Sequence, residues 1–141
     1  MRVIICGDRH WMDFIPILTV VRGLKFMHQD KLVIIHGACI YGGADLIAGA
    51  CARGMEVKVE EYPAEWDKYG RAAGPIRNMK MLKLGADLVV AFHDNLAASR
   101  GTKHMVSIAE KAGIPVWKFA TVNTPQPPRV ESATMGFSGE R

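Results

Sequence analysis

Short strand-like runs alternate along the chain with segments whose apolar residues recur at helical spacing, and this alternation constrains the fold most strongly. The five runs occupy residues 2–6, 32–36, 56–60, 87–92 and 114–119. All but the third are almost wholly apolar, which is typical of strands buried on both faces of a parallel sheet. Parallel neighbours require right-handed crossovers, so the sequence predicts an α/β doubly wound parallel sheet of about five strands. The simplest strand order is 3-2-1-4-5, with helices on both faces and the third run, which alternates polar and apolar residues, at an edge.

Residues 1–120 are predicted to form a single domain, because a chain of 141 residues is suited to one hydrophobic core. The hydrophobic fraction of 49% and the charged fraction of 23% are those of an ordinary globular protein. Helices are predicted between the strands at residues 14–28, 42–53, 74–84 and 102–112. Residues 121–141 contain Pro, Ser and Thr with few large apolar side chains, and we predict a flexible tail there.

Charge and cysteine content narrow the class of protein. The formal net charge of +4 is compatible with an anionic ligand, but the basic residues are scattered rather than gathered into the dense stripe of a DNA-binding face. Cys6, Cys39 and Cys51 match no disulfide framework and no zinc pattern, so we expect free thiols in a reducing cytoplasm. No signal peptide or membrane-length apolar run is visible. We therefore expect a cytoplasmic protein with no membrane association, no bound metal and no cofactor.

A glycine-rich turn at residues 36–45 separates the second strand from the second helix. Glycines allow close approach of the backbone, and the first N–H groups of a helix have no internal partners, so such a turn can hold a phosphate. The candidate ligand-binding residues here are Gly37, Gly42, Gly43, Ala44 and Asp45. Alternatively the turn only joins strand to helix, since it matches neither a dinucleotide fingerprint nor a Walker A loop. Asp45 in turn either caps the helix, binds a ribose hydroxyl or orients a basic residue.

The predicted strand order brings further loops to the same crevice. Ligands of doubly wound sheets bind beyond the carboxyl ends of the strands, at the point where the order reverses, here between strands one and four. The loops expected to meet there span residues 7–11, 37–45 and 92–102. Arginine forks and a second Gly-Thr helix start make these loops suitable for phosphate oxygens. Their candidate ligand-binding residues are Gly7, Asp8, Arg9, Phe92, Arg100, Gly101 and Thr102.

A second group of candidates lies at the predicted start of the third helix. Gly74, Arg77 and Asn78 combine a glycine, a cation and an amide in the first turn, which is an anion site in outline. The alternative is a surface helix start with solvated arginines. Trp66, Tyr69 and Phe92 can stack on a base, or they can pack in the core or a lid.

Together these motifs resemble the YspA-like, YpsA-related branch of the SLOG superfamily. The matching pieces, in chain order, are Gly7-x-Arg9, Gly42-Gly43-Ala44-Asp45, Pro63-Ala64-x-Trp66, Gly70-x-x-Ala73-Gly74-Pro75-x-Arg77-Asn78 and Gly101-Thr102. The resemblance covers about residues 2–119 and implies a Rossmann-like fold, self-association into a homo-oligomer and a nucleotide or ADP-ribose-like ligand. The superfamily includes nucleotide-sensing domains, the DNA-processing protein DprA and the "lonely guy" phosphoribohydrolases.

The sequence departs from the phosphoribohydrolase pattern at one position that matters for catalysis. In those enzymes the late Gly-Thr pair is followed by a catalytic glutamate on the same helix, whereas here Gly101-Thr102 is followed by Lys103, His104 and Met105. Arg77 can match the assisting arginine. A general acid is missing unless His104, Asp94 or Asp8 replaces it, and without one the charge on the sugar in the transition state is not stabilised.

Three functions remain open from the sequence. The first is binding or sensing of a nucleotide-type small molecule, in a module linked to a partner or to stress and phage-conflict signalling. The second, an alternative to binding alone, is cleavage of an N-glycosidic bond in a nucleotide, with Arg77, His104 and Asp94 as candidate catalytic residues. The third, a further alternative, is single-stranded nucleic-acid binding like that of DprA relatives, which only the net positive charge favours.

Overall fold

The computed structural model describes residues 1–121 and confirms the predicted α/β, Rossmann-like architecture. All strand pairs are parallel, and the sheet order is β3-β2-β1-β4-β5. The strands are β1 Arg2–Gly7, β2 Val33–His36, β3 Lys58–Glu61, β4 Leu88–Phe92 and β5 Val116–Phe119. The helices are α1 Phe14–His28, α2 Ala44–Gly54, α3 Trp66–Tyr69, α4 Ala73–Leu84 and α5 Gly101–Lys111, with short 3-10 turns at Gln29–Lys31, Gly70–Ala72 and Leu96–Ala98.

Alternate side chains of the central strands bury into opposite faces of the sheet. In β1, Val3 and Ile5 join the core formed with α1 and α2, whereas Ile4 and Cys6 join the core formed with α4 and α5. Because successive side chains of a strand point to opposite faces, an apolar run is needed when both faces are covered. This is why the central strands carry the unbroken apolar runs of the sequence. β3 pairs only with β2, has no fully buried residue and is the polar edge strand that was predicted.

Most element boundaries differ from the sequence-based prediction by one or two residues, and the starts of α2, β3 and β5 each shift by two. The helix predicted at residues 42–53 begins at Ala44, because Gly42 and Gly43 have φ angles of 99° and 81°, which no helix adopts. β3 begins at Lys58 rather than residue 56, because Glu56 and Val57 donate their N–H groups to the last carbonyls of α2. The segment predicted as an aromatic loop also contains one helical turn, α3.

The strand register aligns the loops that matter for function. Gly7 at the end of β1 pairs with Phe92 at the end of β4, and His36 at the end of β2 pairs with Glu61 of β3. The loops that follow these strands therefore leave the sheet at the same end, where the carboxyl ends of the strands lie side by side. Apart from Thr121, the predicted flexible tail lies outside the described residues. Among helices within residues 1–121, none has the length and apolar character needed to cross a membrane.

Candidate functional site

A cleft of about 570 Å³ opens at the carboxyl ends of the strands, where the sheet order reverses. Loops after β1, β2 and β4 line it together with the first turns of α4 and α5 and the approach to α3. Its size lies within the range of small-molecule sites. The sequence-predicted residues that the structure brings together here are Gly7, Asp8, Arg9, Gly37, Asp45, Gly74, Arg77, Asn78, Arg100, Gly101 and Thr102.

Gly42, Gly43 and Ala44 do not line the cleft, although the glycine-rich turn was predicted to hold phosphate. The Ala44 N–H donates to the Asp8 carbonyl at 3.1 Å, and a Cβ at Gly43 would overlap the backbone of Asp8 and Arg9. The start of α2 is therefore covered by the chain's own β1 loop. The glycines bring two backbone segments together, and the positive φ of Gly43 makes that approach possible.

Phe92 was predicted to contact the ligand and instead lies wholly in the core. Its ring is fully buried, with its centroid 5.6 Å from Trp11 and 5.3 Å from Phe119. A ring with no exposed surface cannot stack on a base, so the stacking interpretation of Phe92 is wrong.

His104 and Asp94, two of the three side chains suggested as replacement acids, lie outside the cleft lining, whereas the third, Asp8, lines it. The Asp94 carboxylate accepts hydrogen bonds from the Thr121 N–H at 2.6 Å and from the Thr121 hydroxyl at 3.0 Å. His104 lies behind Asn78, with 3.2 Å between Asn78 Nδ2 and His104 Nδ1, and burial lowers its pKa. Both side chains therefore contact neighbouring residues of the described chain, Asn78 and Thr121, rather than the cleft.

Arg77 and Asn78 tie three sides of the cleft together. Arg77 Nη1 donates to the carbonyl oxygens of Gly37 at 2.5 Å and Tyr62 at 3.2 Å, and its Nε donates to Asn78 Oδ1 at 3.0 Å. Asn78 Nδ2 in turn donates to the Gly101 carbonyl at 3.1 Å. Arg77 is thus not a solvated surface arginine. Within the described chain its Nη2 makes no hydrogen bond, and the residue borders the cleft.

Asp45 is a buried carboxylic acid in the wall of the cleft. Its Oδ2 accepts the Gly37 N–H at 3.1 Å, and it stands in the first turn of α2 without capping that helix, since Gly43 is the N-cap residue. Burial raises the pKa of Asp45 to about 6, although the charge of Arg77 and the backbone N–H groups of Gly37 and Cys39 favour the ionised form. Of the sequence-based alternatives, helix capping is therefore wrong. The carboxyl instead holds the loop after β2.

The α5 side of the cleft is rich in hydrogen-bond donors. Ser99 Oγ accepts the Lys103 N–H at 2.9 Å, and the His104 N–H donates to the Arg100 carbonyl at 3.0 Å. The N–H groups of Gly101 and Thr102 have no acceptor within residues 1–121, and both residues line the cleft. Arg100 is exposed beside them. This first helical turn offers an anion free donors and a nearby cation.

Arg9 supplies a second cation on the β1 side. Its guanidinium lies over the Tyr41 ring, with 5.2 Å from Cζ to the ring centroid, and its Nε donates to His10 Nε2 at 3.3 Å. Asp8 Oδ1 accepts the His10 N–H at 2.8 Å and so shapes the same turn. Both sides of the cleft therefore present positive charge to a ligand.

Sequence reasoning did not single out several lining residues. They are Cys6, His10, Met81, His93 and Ala98. His10 and His93 lie within loops that the switch-point rule had selected, so only the side chains, not the segments, were missed. No group of three or more metal-ligating side chains occurs in residues 1–121, and the three cysteines are free.

Comparison with known proteins shows similarity to a protein family and to a phage protein. A family model described as "YAcAr: YspA, cpYpsA-related SLOG family" matches residues 1–69, the part from β1 through α3. The chain is also 38% identical over 123 residues to the Gene 61 protein of Mycobacterium phage D29, in an alignment that covers 84% of this chain and 95% of that protein.

Proposed function

Because this chain belongs to the YspA, cpYpsA-related SLOG family, we propose that it binds a nucleotide or nucleotide-derived ligand, a nucleoside phosphate or an ADP-ribose-like molecule. The ligand lies in the cleft at the switch point, and the protein acts as a sensing or processing module. The observation that carries this proposal is the first turn of α5, where the free N–H groups of Gly101 and Thr102 border the cleft beside Arg100. Phosphate oxygens are the ligand atoms that such donors recognise best.

The opposite wall suits the rest of such a ligand. Arg9 adds a cation that can meet a second phosphate or a carboxylate, and Asp8 and Asp45 offer acceptors for ribose hydroxyls. The cleft volume of about 570 Å³ accommodates a ligand larger than inorganic phosphate. A dimer or larger homo-oligomer, which the family resemblance implies, belongs to the same proposal.

A direct binding panel tests this function. Isothermal titration with AMP, ADP, ADP-ribose and NAD is expected to give saturable binding of at least one of them, with ribose 5-phosphate and inorganic phosphate as the smaller comparison ligands. A ligand that binds only the folded state also raises the melting temperature. If none of these compounds binds or shifts the melting temperature, the proposal fails.

Cleavage of the bound nucleotide is a second candidate, and Asp45 is the observation that favours it. With a pKa of about 6, this carboxyl is partly protonated near neutral pH and lines the cleft, which are properties of a general acid. Chromatography of the titration mixtures separates the two candidates. Cleavage would be established if wild-type protein releases a free base and Asp45→Asn does not. Intact ligands after prolonged incubation would show that the protein binds the nucleotide without cleaving it.

Nucleic-acid binding is the remaining alternative, and only the net charge of +4 favours it. Titration of a fluorescent single-stranded oligonucleotide at increasing salt tests it, because phosphate contacts weaken steeply as salt rises. Salt-sensitive binding with competition by AMP would bring this alternative back. No binding at low salt would remove it.

Arg77→Ala is expected to weaken nucleotide affinity about tenfold or more, because it removes a cation and a charge-assisted donor from the cleft wall. The hydrogen bonds from Nη1 to Gly37 and Tyr62 make us expect a lower melting temperature as well. Arg71→Ala is the matched control, since Arg71 is an exposed arginine outside the cleft lining. Calorimetry on both variants checks the result. Equal affinities of Arg77→Ala and wild type would remove Arg77 from the site.

A further inference from the structure

The cleft is chemically divided, and its α3 side is apolar and aromatic. Pro63, Ala64 and Trp66 line this side, whereas Arg9 and Arg100 lie on the loops after β1 and before α5. We infer that Trp66 is the stacking surface for the ligand's base, so that the ligand lies across the cleft with its base at α3 and its phosphate at the first turn of α5. This inference rests on the proposed function and adds the orientation of the ligand and the requirement for a planar base.

Trp66 borders the cleft and is accessible to solvent. Its side chain is 54% exposed, although it borders the cleft and begins α3. The edge of the indole at Cη2 lies over the first turn of α4, where a Cβ at Gly74 would be 3.4 Å away, at ordinary contact distance. One edge of the ring thus lies near the start of α4, while about half of the residue's surface stays exposed. Any nucleobase can stack on such a ring, because every base has an aromatic face.

The other aromatic residues are less suitable for this role. Phe92 is fully buried, and Tyr69 is not part of the cleft lining. Tyr41 borders the cleft, but one face of its ring already carries the Arg9 guanidinium. Trp66 takes part in no cation–π contact within residues 1–121, and no ring pairs with it there. Among the Trp, Tyr and Phe residues that line the described cleft, Trp66 is therefore the one whose ring contacts neither a cation nor another ring.

Fluorescence offers a direct readout, since the other two tryptophans are buried. Trp11 is 5% exposed and Trp117 is 2% exposed, so stacking of a base should quench mainly the emission of Trp66. The experiment titrates AMP, ADP-ribose and UMP against ribose 5-phosphate, which has the sugar and phosphate without a base. We expect quenching by the nucleotides that bind and none by ribose 5-phosphate. Trp66→Phe should abolish the quenching and keep affinity within about threefold.

Trp66→Leu separates stacking from simple apolar contact. This variant should lose about tenfold in nucleotide affinity, measured by calorimetry, and leave the affinity for ribose 5-phosphate unchanged. Nucleotide binding by Trp66→Leu at wild-type strength would overturn the inference while leaving the proposed function intact. A shift of the oligomeric state of Trp66→Leu in sedimentation, without loss of affinity, would also overturn it and assign Trp66 to a subunit interface. Failure of every ligand to bind wild-type protein would contradict the proposed function itself.

Discussion

Replacing Gly43 with alanine is expected to destabilise the protein by about 2–4 kcal/mol, whereas the same change at the neighbouring Gly42 should cost only about 1–2 kcal/mol. Both glycines have positive φ angles, so both substitutions force an L-residue into an unfavourable region. The difference lies in the space around them. A Cβ at Gly43 would overlap the carbonyl oxygen of Asp8 and the Cα of Arg9, while nothing lies within 4 Å of a Cβ at Gly42.

The overlap at Gly43 cannot be relieved by rotating a side chain. The atoms concerned are backbone, and the Asp8 carbonyl is held by the N–H groups of Trp11 and Ala44. Urea unfolding of both variants, with Gly54→Ala as a control in a helix with open space, measures the difference. Equal losses at Gly42 and Gly43 would mean that strain in φ is the whole effect. The close packing of the β1 loop on α2 would then not be essential.

Asp45→Asn is expected to make the protein more stable than wild type at about pH 8, by an amount on the order of 2–3 kcal/mol, and equally stable at about pH 3. Burial raises the pKa of Asp45 from 3.8 to about 6, so the folded state disfavours the ionised form. The neutral carboxyl therefore contributes stability that is complete below the unfolded pKa and is lost as pH rises through about 6. Asparagine is neutral at every pH and keeps an oxygen that can accept the Gly37 N–H.

Unfolding free energies of Asp45→Asn and wild type across this pH range check the prediction. Asp67→Asn is the matched control, because Asp67 is exposed on α3 and its side chain takes part in no hydrogen bond or ion pair within residues 1–121. A stability difference that does not change with pH would contradict the buried-acid account. A variant that is less stable than wild type at about pH 8 would show that the ionised carboxyl is needed to hold the loop. If Asp45 also contacts ligand, nucleotide affinity falls in the same variant.

The strand order and the convergence of the loops could be predicted from the sequence. Both depend on the pattern of apolar and polar residues along each strand, which the sequence shows directly. Apolar runs identified β1, β2 and β4 as central strands, and the edge position of β3 followed from its alternation. The reversal of strand order then located the cleft before any side chain was considered. The apolar pattern of the strands therefore predicts where each loop leaves the sheet.

The direction of individual side chains was harder to predict. A glycine such as Gly43 signals that something approaches its backbone, but it does not distinguish a phosphate from another part of the same chain. Asp45 illustrates the same limit, because its position in the first turn of α2 suggests a cap, whereas its oxygen binds the loop after β2. The first case depends on the packing of the β1 loop, which is distant in sequence, against α2, and the second depends on how the loop between β2 and α2 folds back onto the helix.

For Phe92, the sequence contained a usable signal. Leu88, Val90 and Phe92 alternate along β4 and join the same core, on the face covered by α1 and α2. Strand periodicity alone would thus have placed Phe92 inside the protein rather than in the cleft. For His104 no comparable signal exists, because its place behind Asn78 depends on how α4 and α5 pack together.

A crystal structure of the protein with the tightest-binding nucleotide of the panel tests the central claim most directly. The account predicts that the phosphate oxygens lie within hydrogen-bond distance of the Gly101 and Thr102 N–H groups, close to the Arg100 guanidinium. A nucleotide bound on another face of the molecule, with the first turn of α5 left to solvent, would contradict it.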